Sequence, residues 1–146
     1  MFATIGLLGG LNMKKCFNCM NDLSASEEKC PACGTTYNKT PKAEYHLPPE
    51  TILANRYILG YAVKETEVFI AYMAWDKEEN KKVLINEYFP AFLSERTEEL
   101  CVEPENKKTS HIFMRGLAAF KDECIDLKDM PNVDVIGGFE ENNTYY

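Results

Sequence analysis

Two pairs of cysteines, Cys16/Cys19 and Cys30/Cys33, stand ten residues apart as C-F-N-C and C-P-A-C-G. No other feature constrains this chain as much. Each C-x-x-C turn presents two thiolates from one tight knuckle, and two knuckles supply the four soft ligands of a tetrahedral zinc ion. Gly34 follows the second pair with the permissive backbone that ends such a knuckle. Met20 holds the matching place after the first pair, so that knuckle is expected to be less regular. A redox dithiol is the competing chemistry, but it comes as a single C-x-x-C at a helix start within a βαβ pattern, which this segment lacks. The spacing predicts a zinc ribbon over residues 13–37 with Cys16, Cys19, Cys30 and Cys33 as ligands and Lys14, Lys15 and Lys29 offsetting the charge. Four protein ligands leave no open coordination position, so the zinc is expected to be structural. So short a piece has almost no apolar core and should fold only with metal.

The other two cysteines, Cys101 and Cys124, are far apart and have no recognisable partners. Clustered ligand cysteines suit a reducing compartment better than a disulfide framework, which places the protein in the cytoplasm. The 146 residues leave room for one ordinary domain, or a small module with part of a larger one. A net charge of −7 argues against a binder of phosphate backbones. Between Met13 and Thr40, Lys14, Lys15, Lys29 and Lys39 barely outnumber Asp22, Glu27 and Glu28, and Phe17 and Tyr37 are the only aromatics. A zinc-ribbon nucleic-acid adaptor is therefore the weaker reading and a protein partner the stronger one. Residues 1–12, MFATIGLLGGLN, are apolar but too short to span a bilayer. They have neither the basic start nor the cleavage site of a signal peptide, and are read as a flexible tail ahead of a natural start at Met13. No membrane association is expected.

Residues 38–53 mix lysine, threonine and proline and predict a semi-extended linker. Strand-like runs follow at 56–62, 67–75 and 82–88, the last two joined by a polar hairpin loop at 76–81. The middle run is apolar at Val68, Phe69, Ile70, Ala71, Tyr72, Met73, Ala74 and Trp75, so both its faces are expected to be covered. Residues 90–108 predict an irregular charged insertion pinned by Phe89-Pro90 and Phe92-Leu93, with a short extended piece at Cys101-Val102. From His111 onward, Phe113, Leu117, Phe120, Cys124 and Leu127 form one apolar stripe at helical spacing. Ser110 is the expected cap and Pro131 the stop.

The run V-L-I-N-E-Y-F-P at 83–90 resembles the third strand of a bacterial serine/threonine protein kinase, and E-T-I-L-A-N-R-Y-I-L-G at 50–60 resembles the lead-in to the first. Glu87-Tyr88-Phe89-Pro90 with Arg96 beyond it resembles a subfamily that often carries an N-terminal zinc ribbon. The resemblance implies an α+β fold: a small zinc ribbon, then over residues 54–146 a kinase-like N-lobe of about five antiparallel strands with one helix. It implies strand four at 134–139, a turn at 140–143 and the first residues of strand five at 144–146. It does not reach the hinge or the helical lobe with the catalytic aspartate, so a ragged edge and an uncovered apolar face are expected.

The nucleotide-site positions carried over by this resemblance are degenerate. Asn86 stands where the family has the lysine that neutralises nucleotide phosphates, and Lys64, Thr66 and Phe69 fall on the three glycines of the phosphate loop. Glu123 falls on the helix glutamate that pairs with that lysine. An ion pair at contact distance gives roughly 4 kcal/mol of gross attraction at an intermediate dielectric. Asn86 can offer Glu123 only a neutral hydrogen bond, worth about 1 kcal/mol. Lys64 could replace the lost lysine only by reaching across from the loop. These residues predict a non-catalytic, kinase-like interaction module, or the remnant of a truncated gene, that binds no ATP or magnesium. The alternative is the front part of a split kinase whose nucleotide site a second chain completes.

Overall fold

The computed structural model describes residues 13–146. The flexible tail expected over residues 1–12 lies outside them. Strands β1 (Met13–Lys15) and β2 (Asp22–Ser24) pair antiparallel, and with a bridge between Lys29 and Thr36 they frame the two cysteine turns.

The main sheet is antiparallel, with its four strands in the order β3 (Ile52–Leu53), β4 (Tyr57–Glu65), β5 (Phe69–Asp76) and β6 (Lys81–Tyr88). The three longer strands match the expected runs to within a few residues, because β-branched and aromatic residues there can be buried on a pleated surface. Ile70, Tyr72 and Ala74 are buried on one face of β5, and Ala71 is buried on the other. The middle strand is covered on both sides, as its composition demands. Asp76 closes the β5–β6 turn by accepting the amides of Glu78 and Glu79 and gripping the Arg56 guanidinium at 2.6 and 2.8 Å. That guanidinium holds the Asp76 carboxyl down at about 2. Two irregularities in β4, between Leu59 and Ala62 and between Ala62 and Lys64, curl the sheet.

Several elements depart from expectation. The linker is not a free tether in its second half: Leu47 is buried and donates its amide to the Tyr72 hydroxyl at 3.0 Å, and Ile52–Leu53 is itself a strand. The charged insertion contains an antiparallel hairpin, β7 (Ser94–Arg96) with β8 (Val102–Pro104). Phe92 pins nothing, being 78% exposed, whereas Phe89 is buried. Residues 134–139 form no strand. The hairpin β9 (Glu140–Glu141) with β10 (Thr144–Tyr145) turns at Asn142-Asn143, both with positive φ, and paired backbone bonds between Phe139 and Tyr146 extend it. The sheet therefore has four strands rather than five, and this hairpin packs beside β6, with the Thr144 hydroxyl donating to the Tyr88 carbonyl at 2.7 Å.

Helix α1 (Ser110–Lys128) follows the predicted stripe. Thr109 rather than Ser110 holds the cap position, and it makes no side-chain cap bond. Phe113 is fully buried, and Leu117 and Phe120 pack on the core. Gly116 permits this docking, because a Cβ there would overlap the Tyr88 hydroxyl, which donates to the Phe113 carbonyl at 2.9 Å. Among the described residues, no helix is long and apolar enough to cross a membrane.

Candidate functional site

The four paired cysteines converge. The Sγ atoms of Cys16, Cys19, Cys30 and Cys33 all lie within 4.8 Å of one another, with Cys16–Cys33 at 3.6 Å and Cys19–Cys30 at 3.7 Å. A tetrahedral zinc with bonds of about 2.3 Å requires sulfurs about 3.8 Å apart, so the set fits such an ion. Both knuckles close alike: the Met20 and Gly34 amides each reach back 2.8 Å to the carbonyl of the first cysteine in their pair. The first knuckle is as regular as the second, contrary to the expectation drawn from Met20. Met20 adopts φ +62° beside +76° at Gly34. This left-handed conformation costs a side chain about 1–2 kcal/mol, offset here because the Met20 side chain is buried. The Thr35 hydroxyl and amide favour the Cys33 thiolate and hold its pKa down at about 6, whereas burial pushes Cys19 up to about 12. Lys14 and Lys15 lie over the rings of Tyr37 and Trp75 at 3.8 and 3.6 Å.

A second site lies on the main sheet. Alternation along β6 puts Lys82, Leu84 and Asn86 on one face and Val83, Ile85 and Glu87 on the other. Residues of both faces from Lys81 to Asn86 border a cleft of about 740 Å³, walled by the C-terminal half of α1 and residues 134–139. Of the degenerate nucleotide-site positions, Thr66, Phe69, Asn86 and Glu123 all line this cleft. Lys64 does not. It borders a separate depression of about 270 Å³ with Lys42 and His46, apart from Asn86. Asn86 and Glu123 are both exposed, and among the described residues no hydrogen bond joins them. The cations that do line the cleft, Lys81 and Lys82, sit at the turn end of β6, with Lys82 about 13 Å along the strand from Asn86.

The loop between β4 and β5 has closed on itself. The Thr66 amide donates to the Phe69 carbonyl at 2.9 Å, and the Thr66 hydroxyl accepts the amides of Val68 and Phe69 at 3.2 and 3.0 Å. A phosphate-cradling loop needs its amides free and aimed at the anion. Here three of them are used internally.

The Glu-Tyr-Phe-Pro and Arg96 signature has a physical explanation that spacing alone did not reveal. The Glu87 carboxylate, fully buried, accepts a bidentate pair from Arg96 at 2.5 and 3.1 Å, together with the hydroxyls of Tyr146 at 2.7 Å and Tyr72 at 3.3 Å. The Arg96 side chain is only 4% exposed, and its remaining donors reach the carbonyls of Tyr45 and Leu100. Burial pushes the Tyr72 and Tyr146 hydroxyls up, with the Glu87 charge adding to it. The available signal was a glutamate on the same strand face as the apolar Val83 and Ile85.

No family model matches the sequence, and no curated protein matches it. Among solved structures, the chain is similar to the apo form of PpkA-294, a fragment of a bacterial serine/threonine kinase. The TM-score is 0.66 at 26% identity, over 70% of this chain and 37% of that one. The chain thus spans little more than a third of that structure. The likeness supports a kinase-like fold here, joined to a four-cysteine cluster that could bind a metal such as zinc.

Proposed function

We propose that this chain is a non-catalytic, kinase-like small lobe carrying a structural zinc ribbon, and that it works by binding a protein partner rather than by transferring phosphate. The observation that supports this reading is the cleft, where Asn86, which the resemblance sets at the phosphate-lysine position, and the carboxylate of Glu123 line the same space. An amide at that position brings no positive charge to a phosphate and offers only a neutral hydrogen bond, worth about 1 kcal/mol net. The self-closed Thr66 turn withholds the amides that would compensate. The zinc, held by four protein thiolates, would supply folding energy and no chemistry.

Thermal unfolding of the full chain with increasing ATP and magnesium tests the proposal. No upward shift is expected, whereas a saturable shift would overturn it. The cleft volume, within the range of small-molecule pockets, favours a second reading in which another chain completes a nucleotide site. A shift that emerges only when a second polypeptide is added would select that reading.

A further inference from the structure

We propose that the first cysteine knuckle is the edge cap of the main sheet, so that metal bound by the four cysteines keeps β4 closed to other strands. This rests on the metal reading above and extends it from the ribbon to the sheet. Strand β3 covers only the beginning of β4: on that edge Leu59 donates to the Thr51 carbonyl and accepts the Glu50 amide, each at 2.9 Å. Two residues further on, the Tyr61 amide faces the same edge, beyond the reach of β3. It donates instead to the Phe17 carbonyl at 2.8 Å. Phe17 lies between the ligands Cys16 and Cys19, so a residue of the metal turn continues the ladder where the strand stops.

The surroundings are built for this contact. Gly60 has no alternative there, because a Cβ would overlap both the Phe17 carbonyl oxygen and the Met20 methyl. Phe17 and Met20 are both buried, and the Phe17 ring meets Tyr61 edge-on at 5.6 Å and stacks on Tyr37 at 4.7 Å. The Tyr61 hydroxyl donates to the Asn38 carbonyl at 2.5 Å, fixing the exit of the ribbon on the same strand. Met20 in a left-handed conformation now has a reason: glycine would relax the turn but leave the sheet edge without its methionine. An unpaired strand edge is a template for pairing with another chain, and this one is covered only while the knuckle holds its shape. Knuckle shape in turn depends on the metal.

The test compares zinc-loaded and chelated full-length chain by amide hydrogen exchange, with zinc content measured alongside. Trp75, the only tryptophan, lies under Lys15 of the ribbon and gives a second readout in its fluorescence. Chelation is expected to speed exchange at Tyr61 at least tenfold and to shift the Trp75 emission, while β5 and β6 change less than twofold. Met20→Gly and Gly60→Ala keep all four ligands; each is expected to speed Tyr61 exchange at least threefold with one zinc still bound. Unchanged Tyr61 protection on chelation, or in both variants, overturns the proposal while leaving the metal reading intact. A chain that binds less than one zinc overturns the metal reading and this inference together.

Discussion

Replacing Arg96 with leucine removes the counter-charge of the fully buried Glu87 carboxylate. Glu87 would keep the hydroxyls of Tyr72 and Tyr146 but lose both guanidinium bonds, leaving a carboxylate with no exposed surface and no counter-charge. Breaking a buried pair in this way costs about 3–5 kcal/mol. A chain of this size loses about 2–4 °C in Tm per kcal/mol, so Arg96→Leu is expected to unfold at least about 6 °C below wild type. Urea titration followed by far-UV circular dichroism should give the same loss as a fall in midpoint at unchanged slope. Adding Glu87→Met removes the stranded charge, and the double variant is expected to recover at least half of the loss. A cost below about 1 kcal/mol for Arg96→Leu, the value of an exposed ion pair, would refute the reasoning.

Phe113→Ala should cost about 3–5 kcal/mol in urea titration, because the ring is fully buried between α1 and Tyr88; a loss under about 1 kcal/mol would mean the helix is not docked. Asp76, held at about 2 by Arg56, binds its proton less readily folded than unfolded. Its contribution is therefore present above about pH 4 and lost as pH falls towards 2, so wild type should lose stability more steeply than Asp76→Asn across that window. Parallel acid titrations of the two proteins would contradict this. Asn86→Lys restores one cation to the cleft and no phosphate-cradling amides, so a labelled-ATP assay should detect no phosphate transfer, and turnover by that variant would count against the account.

The cysteine cluster was legible because metal-site geometry acts through local spacing, and Cys16, Cys19, Cys30 and Cys33 lie close enough in sequence to display it. Strands β4 to β6 were legible because apolar, β-branched and aromatic runs bounded by turn residues report a buried, pleated surface. Asn86, Thr66, Phe69 and Glu123 share a cleft because the sheet and helix formed as expected; Lys64 lies apart, in a strand bulged on both sides of Ala62. What escaped the sequence is tertiary. Leu47 looks like part of a proline-rich tether until the Tyr72 hydroxyl takes its amide. Residues 134–139 carry Val135, Ile136 and Phe139, enough to suggest a strand, yet only Phe139 finds a backbone partner, in Tyr146. Met20 looked like a flaw in its knuckle because its compensation, a pocket over Gly60, lies forty residues further along the chain.

Calorimetric titration of the zinc-loaded chain with ATP and magnesium tests the central claim most directly, because it reads the Asn86 cleft without requiring turnover. The account predicts no saturable heat up to millimolar nucleotide. One-to-one binding in the micromolar range would contradict it.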